Sequence, residues 1–236
     1  MLEYLKNKKI LVVVAHPDDE LLGLGATMHR LISQYNCQTR VVILGEGITS
    51  RSDSRDVEKW KEALVIHKRN IVEAQKAIGY HSVGIYDFPD NRFDTVALLD
   101  IIKVVEKEKE GFCPEIIFTH HGGDVNVDHQ RTFEAVITAC RPMENEKVKT
   151  IITFETPSGT EWRASSDPKQ FIPNMFVEVS EQDILAKIKG MESYEFEKRA
   201  YPHPRSPEAL KILAQQRGVM VGKKYAESFM IIRNIC

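Results

Sequence analysis

The chain has 236 residues, a formal net charge of −2 at neutral pH and four cysteines without paired spacing. Its length suits one large domain or two small ones with room for a sizeable core. The near-zero charge gives no electrostatic case for a nucleic-acid partner, and no apolar run approaches the roughly 18 residues of a membrane span.

The opening MLEYLKNKK is too short and too polar to read as a secretory signal. Scattered thiols at Cys37, Cys113, Cys140 and Cys236 fit a reducing, cytoplasmic setting better than a disulfide framework or a Cys-based zinc site. Ile10 to Ala15 is apolar and rich in β-branched residues, which predicts a strand buried on both faces. Pro17 has no N–H for a ladder and biases His16 toward extended geometry, so the strand ends there. Asp18, Asp19 and Glu20 follow at once. One acid would suffice to cap a helix; three beside a histidine at the carboxyl end of a buried strand point to chemistry. His16 and Asp19, three apart around a turn, can converge on one zinc or other borderline divalent ion. Asp18, between them, does not fit the same coordination geometry and is free to hold a water.

Leu21 to Ser33 reads as the first helix, with Gly23 and Gly25 either simply tolerated or required for close approach. Thr39 to Leu44 is the second strand. Ile48 to Arg55 reads either as a mobile loop over the site or as a solvated linker. Val57 to Ile78 is a long helix with Gly79 as its cap, and Val83 to Tyr86 a short strand. Thr95 to Lys109 has a helical stripe of Leu98, Leu99, Ile102 and Val105. Glu115 to Phe118 is a strand running into Thr119–His129, a loop dense in ligand-type residues, and Gln130 to Cys140 a helix. The last third holds strands at Thr150–Glu155, Met175–Val179 and Tyr225–Ile232. Helices begin there at Ser180 and at Ser206-Pro207. Alternating strands and helices predict an α/β fold: a Rossmann-like, doubly wound, mostly parallel sheet with helices on both faces. The C-terminal strands, some antiparallel, join the same sheet, so residues 1–236 are expected to form one domain.

The motif AHPDDE resembles the signature of the LmbE-like, or PIG-L-like, zinc-dependent N-deacetylases. The resemblance implies that His16 and Asp19 are zinc ligands and Asp18 the general base. It also implies a later motif of two histidines spaced by two residues, of which the second ligates zinc. His129, after Asp128, matches that second position; Asn126 stands where the family has the histidine that steadies the tetrahedral intermediate. Asn126 or His203 is the candidate replacement donor, and His120 and His121 read as supporting loop residues. The family also implies a substrate-facing arginine on the long helix, with His67, Lys68 and Arg69 as candidates for the position and Arg69 chosen. It further implies a sugar-binding acid in a loop, matched by Asp90, and Arg205 is a further candidate substrate contact. Arg217-Gly218 and Tyr225–Phe229 are similar to the family's ending.

These readings combine into a metal-dependent hydrolase that deacetylates an N-acetylated sugar or sugar conjugate, with zinc or another divalent transition metal as cofactor. A homo-oligomer is compatible with them, and no nucleic-acid partner is expected. The alternatives are a metal-dependent phosphoester hydrolase and a non-catalytic sugar- or nucleotide-binding module. The latter has glycines after the first strand but no GxGxxG, and HPDDE would repel phosphate without a metal.

Overall fold

The computed structural model describes residues 2–235. The parallel strands are β1 (Lys9–Val14), β2 (Gln38–Gly45), β3 (Ser82–Phe88), β4 (Ile116–His120) and β5 (Thr150–Phe154). β6 (Met175–Glu178) and β7 (Ala226–Asn234) complete the sheet; β7 runs antiparallel to both β5 and β6. The spatial order is β3-β2-β1-β4-β5-β7-β6. The helices are α1 (Leu2–Leu5), α2 (Asp19–Leu22), α3 (Gly25–Tyr35), α4 (Lys61–Ile78), α5 (Leu98–Phe112), α6 (Val127–Ala139), α7 (Glu181–Ser193) and α8 (Pro207–Val219).

β1 is central because, after the exposed Lys9, its sequence offers nothing to water. Ile10, Leu11, Val12, Val13 and Val14 are all fully buried. Alternate side chains enter two separate cores, as the two-residue period of a strand requires. Ile10, Val12 and Val14 pack with residues of α3, α4, α7 and α8, while Leu11 and Val13 pack with residues of α5 and α6. Full burial of each such side chain contributes about 1.5–3 kcal/mol. The strand order reverses at β1, with β2 and β3 on one side and β4 and β5 on the other. Open α/β sheets leave a crevice at that point, outside the strands' carboxyl ends.

The expected helix Leu21–Ser33 is broken in two. A Cβ at Gly23 would lie 2.1 Å from the Phe154 ring, so only glycine lets the chain approach β5 here. The break frees backbone groups at two helix ends, and one buried pair satisfies them. Lys187 donates to the Leu22 carbonyl at 2.9 Å and to Glu227 at 2.6 Å. Glu227 accepts from the Thr27 N–H of α3 at 2.7 Å. Glu227 is thus a helix-capping carboxylate.

Three other expectations shift. α4 starts at Lys61, preceded by turns in which Asp56 accepts from the Lys59 N–H at 2.9 Å. Leu99 is 59% exposed, and Ile101 takes the inward position that the stripe assigned to it. The 48–55 segment lies fastened against the crevice: Ser50 N–H donates to Asp90 at 3.0 Å, and Arg55 forks onto Glu46 at 2.9 Å through both contacts.

Candidate active site

At the end of β1 the chain turns sharply so that α2 can start at once. Asp18 is its N-cap, with a φ of 111° that L-residues rarely adopt. Asp19 opens the helix, and its Oδ2 accepts from the His16 N–H at 2.8 Å, closing the turn on itself. After β4 a second helix start meets the first. α6 begins three residues earlier than its hydrophobic pattern suggests, because Asn126 caps it, its side chain accepting from the Asp128 N–H at 2.8 Å. Asp128 and His129 therefore stand in a rigid first turn, not in a loop.

The two starts bring His16, Asp19 and His129 together, one ligand atom of each lying within 4.8 Å of the others. His16 Nδ1 and His129 Nε2 are each 3.4 Å from Asp19 Oδ2. That is long for a hydrogen bond. It matches the separation of about 3.4 Å between two ligands on one tetrahedral ion with bonds of about 2.0–2.1 Å. The residues present therefore fit a zinc-sized cation. Each imidazole also presents its other nitrogen to a buried carboxylate: His16 Nε2 lies 2.9 Å from Asp128 Oδ2, and His129 Nδ1 lies 3.2 Å from Asp124 Oδ2. Such carboxylates orient metal-binding histidines and select their tautomer. Asp128 is itself held by the Asn91 and Phe93 N–H groups at 2.6 and 2.8 Å, and Asp124 by the Thr160 hydroxyl at 2.6 Å. Asp124 and this use of Asp128 were not read from the sequence; the only signal was two more acids in a ligand-dense loop.

His120 Nε2 also lies 3.3 Å from Asp19 Oδ2, but that nitrogen is already engaged by the backbone, and the group around Asp19 whose ligand atoms all lie within 4.8 Å of one another is His16, Asp19 and His129. The His120 Nε2 accepts from the Ala15 N–H at 3.0 Å, and the His120 ring stacks on His129 with centroids 3.9 Å apart. Burial and then the neighbouring His129 pull His120 down to about 4, so it is neutral. Burial also pulls His129 down, but Asp19 and Asp124 outweigh it and raise it to about 9. Asp19 is pushed up by burial, yet His129 and His120 hold it well below the carboxylate range. Asp18 behaves oppositely: burial drives it well above that range despite the Arg205 guanidinium beside it. Two adjacent acids thus differ sharply in character. His121 is turned away, its Nε2–H donating to the Lys169 carbonyl at 2.7 Å.

A polar cleft of ≈ 230 Å³ opens above these residues and includes Asp90, Asn126, His203 and Arg205 in its walls. Asp90 Oδ1 lies 3.4 Å from His16 Nε2. Arg205 is engaged by the protein: it donates to Asp18 at 2.8 Å, to Glu197 at 2.9 Å and to the Ser158 hydroxyl at 2.8 Å. Asn126 is also committed, its amide nitrogen donating to Asn91 at 2.9 Å. His203 Nδ1 accepts from the Arg205 N–H at 3.1 Å. The structure does not bring Arg69 into the cleft. The inward face of α4 carries His67, Asn70, Ile71 and Ala74, and a residue two steps from His67 points the other way. Arg69 is paired with Glu195 on the surface at 2.9 Å. His67 is the basic residue of that helix that lines the cleft.

Fold and site together define an α/β protein with a buried His–Asp–His group able to hold a divalent ion and a separate carboxylate beside it. The chain belongs to the PIG-L family, described as GlcNAc-PI de-N-acetylase, whose family model matches residues 11–140 and so includes every residue of that group. It is 29% identical over 196 residues to the uncharacterized deacetylase YaiS of Escherichia coli strain K12, covering 80% of this chain and 91% of that protein. Among solved structures, the N,N'-diacetylchitobiose deacetylase of Pyrococcus horikoshii superposes with a TM-score of 0.71 at 19% identity, over 96% of this chain and 84% of the other. The 4-carboxy-2-hydroxymuconate hydratase GalB of Pseudomonas putida KT2440 superposes with a TM-score of 0.72 at 19% identity, over 97% and 98%. The fold therefore supports more than one chemistry.

Proposed function

We propose that this protein is a zinc-dependent amide hydrolase that deacetylates an N-acetylated sugar or sugar conjugate, its 236 residues working as one cytoplasmic domain. The observation that carries the reading is the equal 3.4 Å spacing of His16 Nδ1 and His129 Nε2 about Asp19 Oδ2, next to a carboxylate, Asp18, left outside that group. His16, Asp19 and His129 would hold the ion, and when bound it would polarise the amide carbonyl and acidify a water toward a pKa of about 7.

The protein's own groups supply the rest. Asp18 would take a proton from the attacking water and return it to the leaving amine, a role that requires hydrogen-bond reach of both. Arg205 holds that carboxylate in one orientation. The Arg205 N–H makes His203 Nδ1 an acceptor, so the neutral ring carries its proton on Nε2. Burial, then Arg205 and Arg199, lowers its pKa. His203 is the proposed oxyanion donor, since Asn126 spends its amide on Asn91. Asp90 and Arg205 would face the sugar. Free thiols at Cys37, Cys113 and Cys140 accord with the proposed compartment, and no described helix is long and apolar enough to cross a membrane.

The test is metal analysis of the purified protein combined with a mass-spectrometric screen for acetate release from N-acetylated sugars and nucleotide sugars. Stoichiometric zinc with acetate release is expected. Release of phosphate from phosphate esters in place of acetate would establish the phosphoesterase reading. Binding without turnover would make the protein a sugar-binding module.

A further inference from the structure

The third acid of the opening motif has no part in the chemistry proposed above. Glu20 is 3% exposed and does not line the cleft, yet both its carboxylate oxygens are engaged. Oε2 accepts from the Asp18 N–H at 3.1 Å, and Oε1 accepts from the Tyr194 hydroxyl at 2.6 Å. The backbone of Glu20 is fixed as well, since the Tyr80 hydroxyl donates to its carbonyl at 3.0 Å. Tyr194 is buried at the end of α7, and Tyr80 is buried just before β3. Two segments distant in the chain thus clamp one residue beside the proposed base.

The backbone at Asp18 explains what the clamp is for. Its φ of 111° and ψ of −27° are strained for an L-residue, and such strain persists only where the surroundings over-determine it. A helix N-cap ordinarily spends its side chain on the first N–H groups of its own helix. Asp18 makes no such bond; its Oδ2 accepts from Arg205 at 2.8 Å instead. The side chain is thereby kept for the cleft, and the turn must be held by something else. In a capping box, an acid of the first turn reaches back to the N-cap N–H. Glu20 makes that bond from the second position of α2. The backbone of Asp18 is therefore held by Glu20 and its carboxylate by Arg205.

We infer that Glu20 is a positioning residue for Asp18: anchored by Tyr194, it accepts the Asp18 N–H and so fixes the turn that aims the Asp18 carboxylate into the cleft. The inference rests on the proposed role of Asp18 as general base. A misplacement of about 1 Å at a reacting group can cost about 10²-fold in rate. The hold works through hydrogen bonds and not through charge. A glutamine can keep both of them, its amide oxygen accepting from the Asp18 N–H and its amide nitrogen donating to the Tyr194 oxygen, because a hydroxyl can turn to accept. An alanine keeps neither, and it leaves the buried Asp18 N–H without a partner.

The test compares the zinc-loaded wild type with Glu20→Ala, Glu20→Gln and Tyr194→Phe. It reads amide hydrogen exchange at Asp18, zinc content, and kcat and KM for acetate release from N-acetylglucosamine and UDP-N-acetylglucosamine. In Glu20→Ala the Asp18 amide should exchange about tenfold faster or more, and kcat should fall about 10²-fold with zinc content and KM unchanged. Glu20→Gln should restore both exchange and kcat to near the wild-type values. Tyr194→Phe keeps the ring and removes one bond, so kcat should fall about tenfold; it carries the test if the alanine variant does not fold. Wild-type exchange or wild-type kcat in Glu20→Ala, or both in Tyr194→Phe, overturns the inference. Equal losses in Glu20→Gln and Glu20→Ala also overturn it, because the charge and not the bond would then be at work. Faster exchange in Glu20→Ala that Glu20→Gln reverses, with no acetate released from either sugar by the wild type, upholds the hold on Asp18 and counts against the deacetylase reading alone.

Discussion

The guanidinium of Arg205 donates to the carboxylate of Asp18 at 2.8 Å, across 187 residues of chain. The same nitrogen reaches Glu197 at 2.9 Å, so the proposed base is tied to the C-terminal third of the molecule. Arg205→Ala should lower kcat about 10²-fold while zinc content stays at the wild-type level, because Arg205 touches none of the proposed ligands. Arg205→Lys should recover only part, lacking the planar fork. Asp18→Asn keeps a residue type that tolerates the positive φ and should keep zinc while losing about 10² to 10⁴ in turnover. Loss of zinc from Asp18→Asn would mean that Asp18 and Asp19 have exchanged roles.

Metal retention should depend on the carboxylates behind the histidines. Asp124→Ala is expected to weaken zinc binding by about 10- to 100-fold, the usual cost of removing a carboxylate behind a metal-binding histidine. His129→Ala should remove most of the metal with the far-ultraviolet circular dichroism spectrum unchanged, because its ring packs on His120 and faces Asp19 and Asp124 at the cleft. Competition with a chromophoric chelator reads both effects. Full occupancy in His129→Ala would end the assignment of the ligand set.

Asn126 and His203 separate structure from catalysis. Asn126→Ala removes a helix cap, so it should cost about 1 kcal/mol of stability, read by denaturant unfolding, and change kcat only mildly. His203→Ala should lower kcat by roughly 10² to 10³ with zinc content and KM little changed, as for a donor used only in the transition state. The opposite ranking of the two kcat values would move the oxyanion role to Asn126.

One ion pair far from the cleft predicts acid sensitivity. Arg40 forks onto Glu108 at 2.6 and 3.1 Å, and the Tyr86 hydroxyl adds a bond at 2.7 Å. Burial pushes the Glu108 carboxyl up, but Arg40 and Tyr86 bring it below its ordinary 4.5. A lowered folded pKa means stability that is present above the unfolded value and lost as pH falls through the folded one. Glu108→Gln should therefore destabilise the protein at pH 7 and matter little once the pH is well below 4. Urea midpoints for both proteins across that range check the sign; a constant difference at every pH would refute it.

Part of this molecule is decided within a few residues of chain. The run from Ile10 to Val14 carries its own burial pattern, Pro17 ends it, and the acids that follow announce a site, because local sterics and hydration act over such distances. The cap Ser180 and the pair Ser206-Pro207 are local for the same reason, and both helices start where those residues place them. The start of α6 lies at the edge of that reach: Asn126 is a good cap by type, but the polar residues after it hide the helix from a hydrophobic pattern.

Other features depend on packing between distant segments. The break at Gly23 is set by the Phe154 ring, and its free backbone groups are met by Lys187 and Glu227. Which basic residue of α4 faces the cleft depends on the angular register of a helix packed against α7, and that register selects His67 over Arg69. The engagement of Arg205 by Asp18, and the carboxylate behind each histidine, join residues far apart in the chain. Local propensity carries no information about such contacts: an arginine 187 residues away is as likely a priori to be solvated as paired. Folding settles the matter, because a buried carboxylate without a partner is costly and the sheet brings only particular segments within reach.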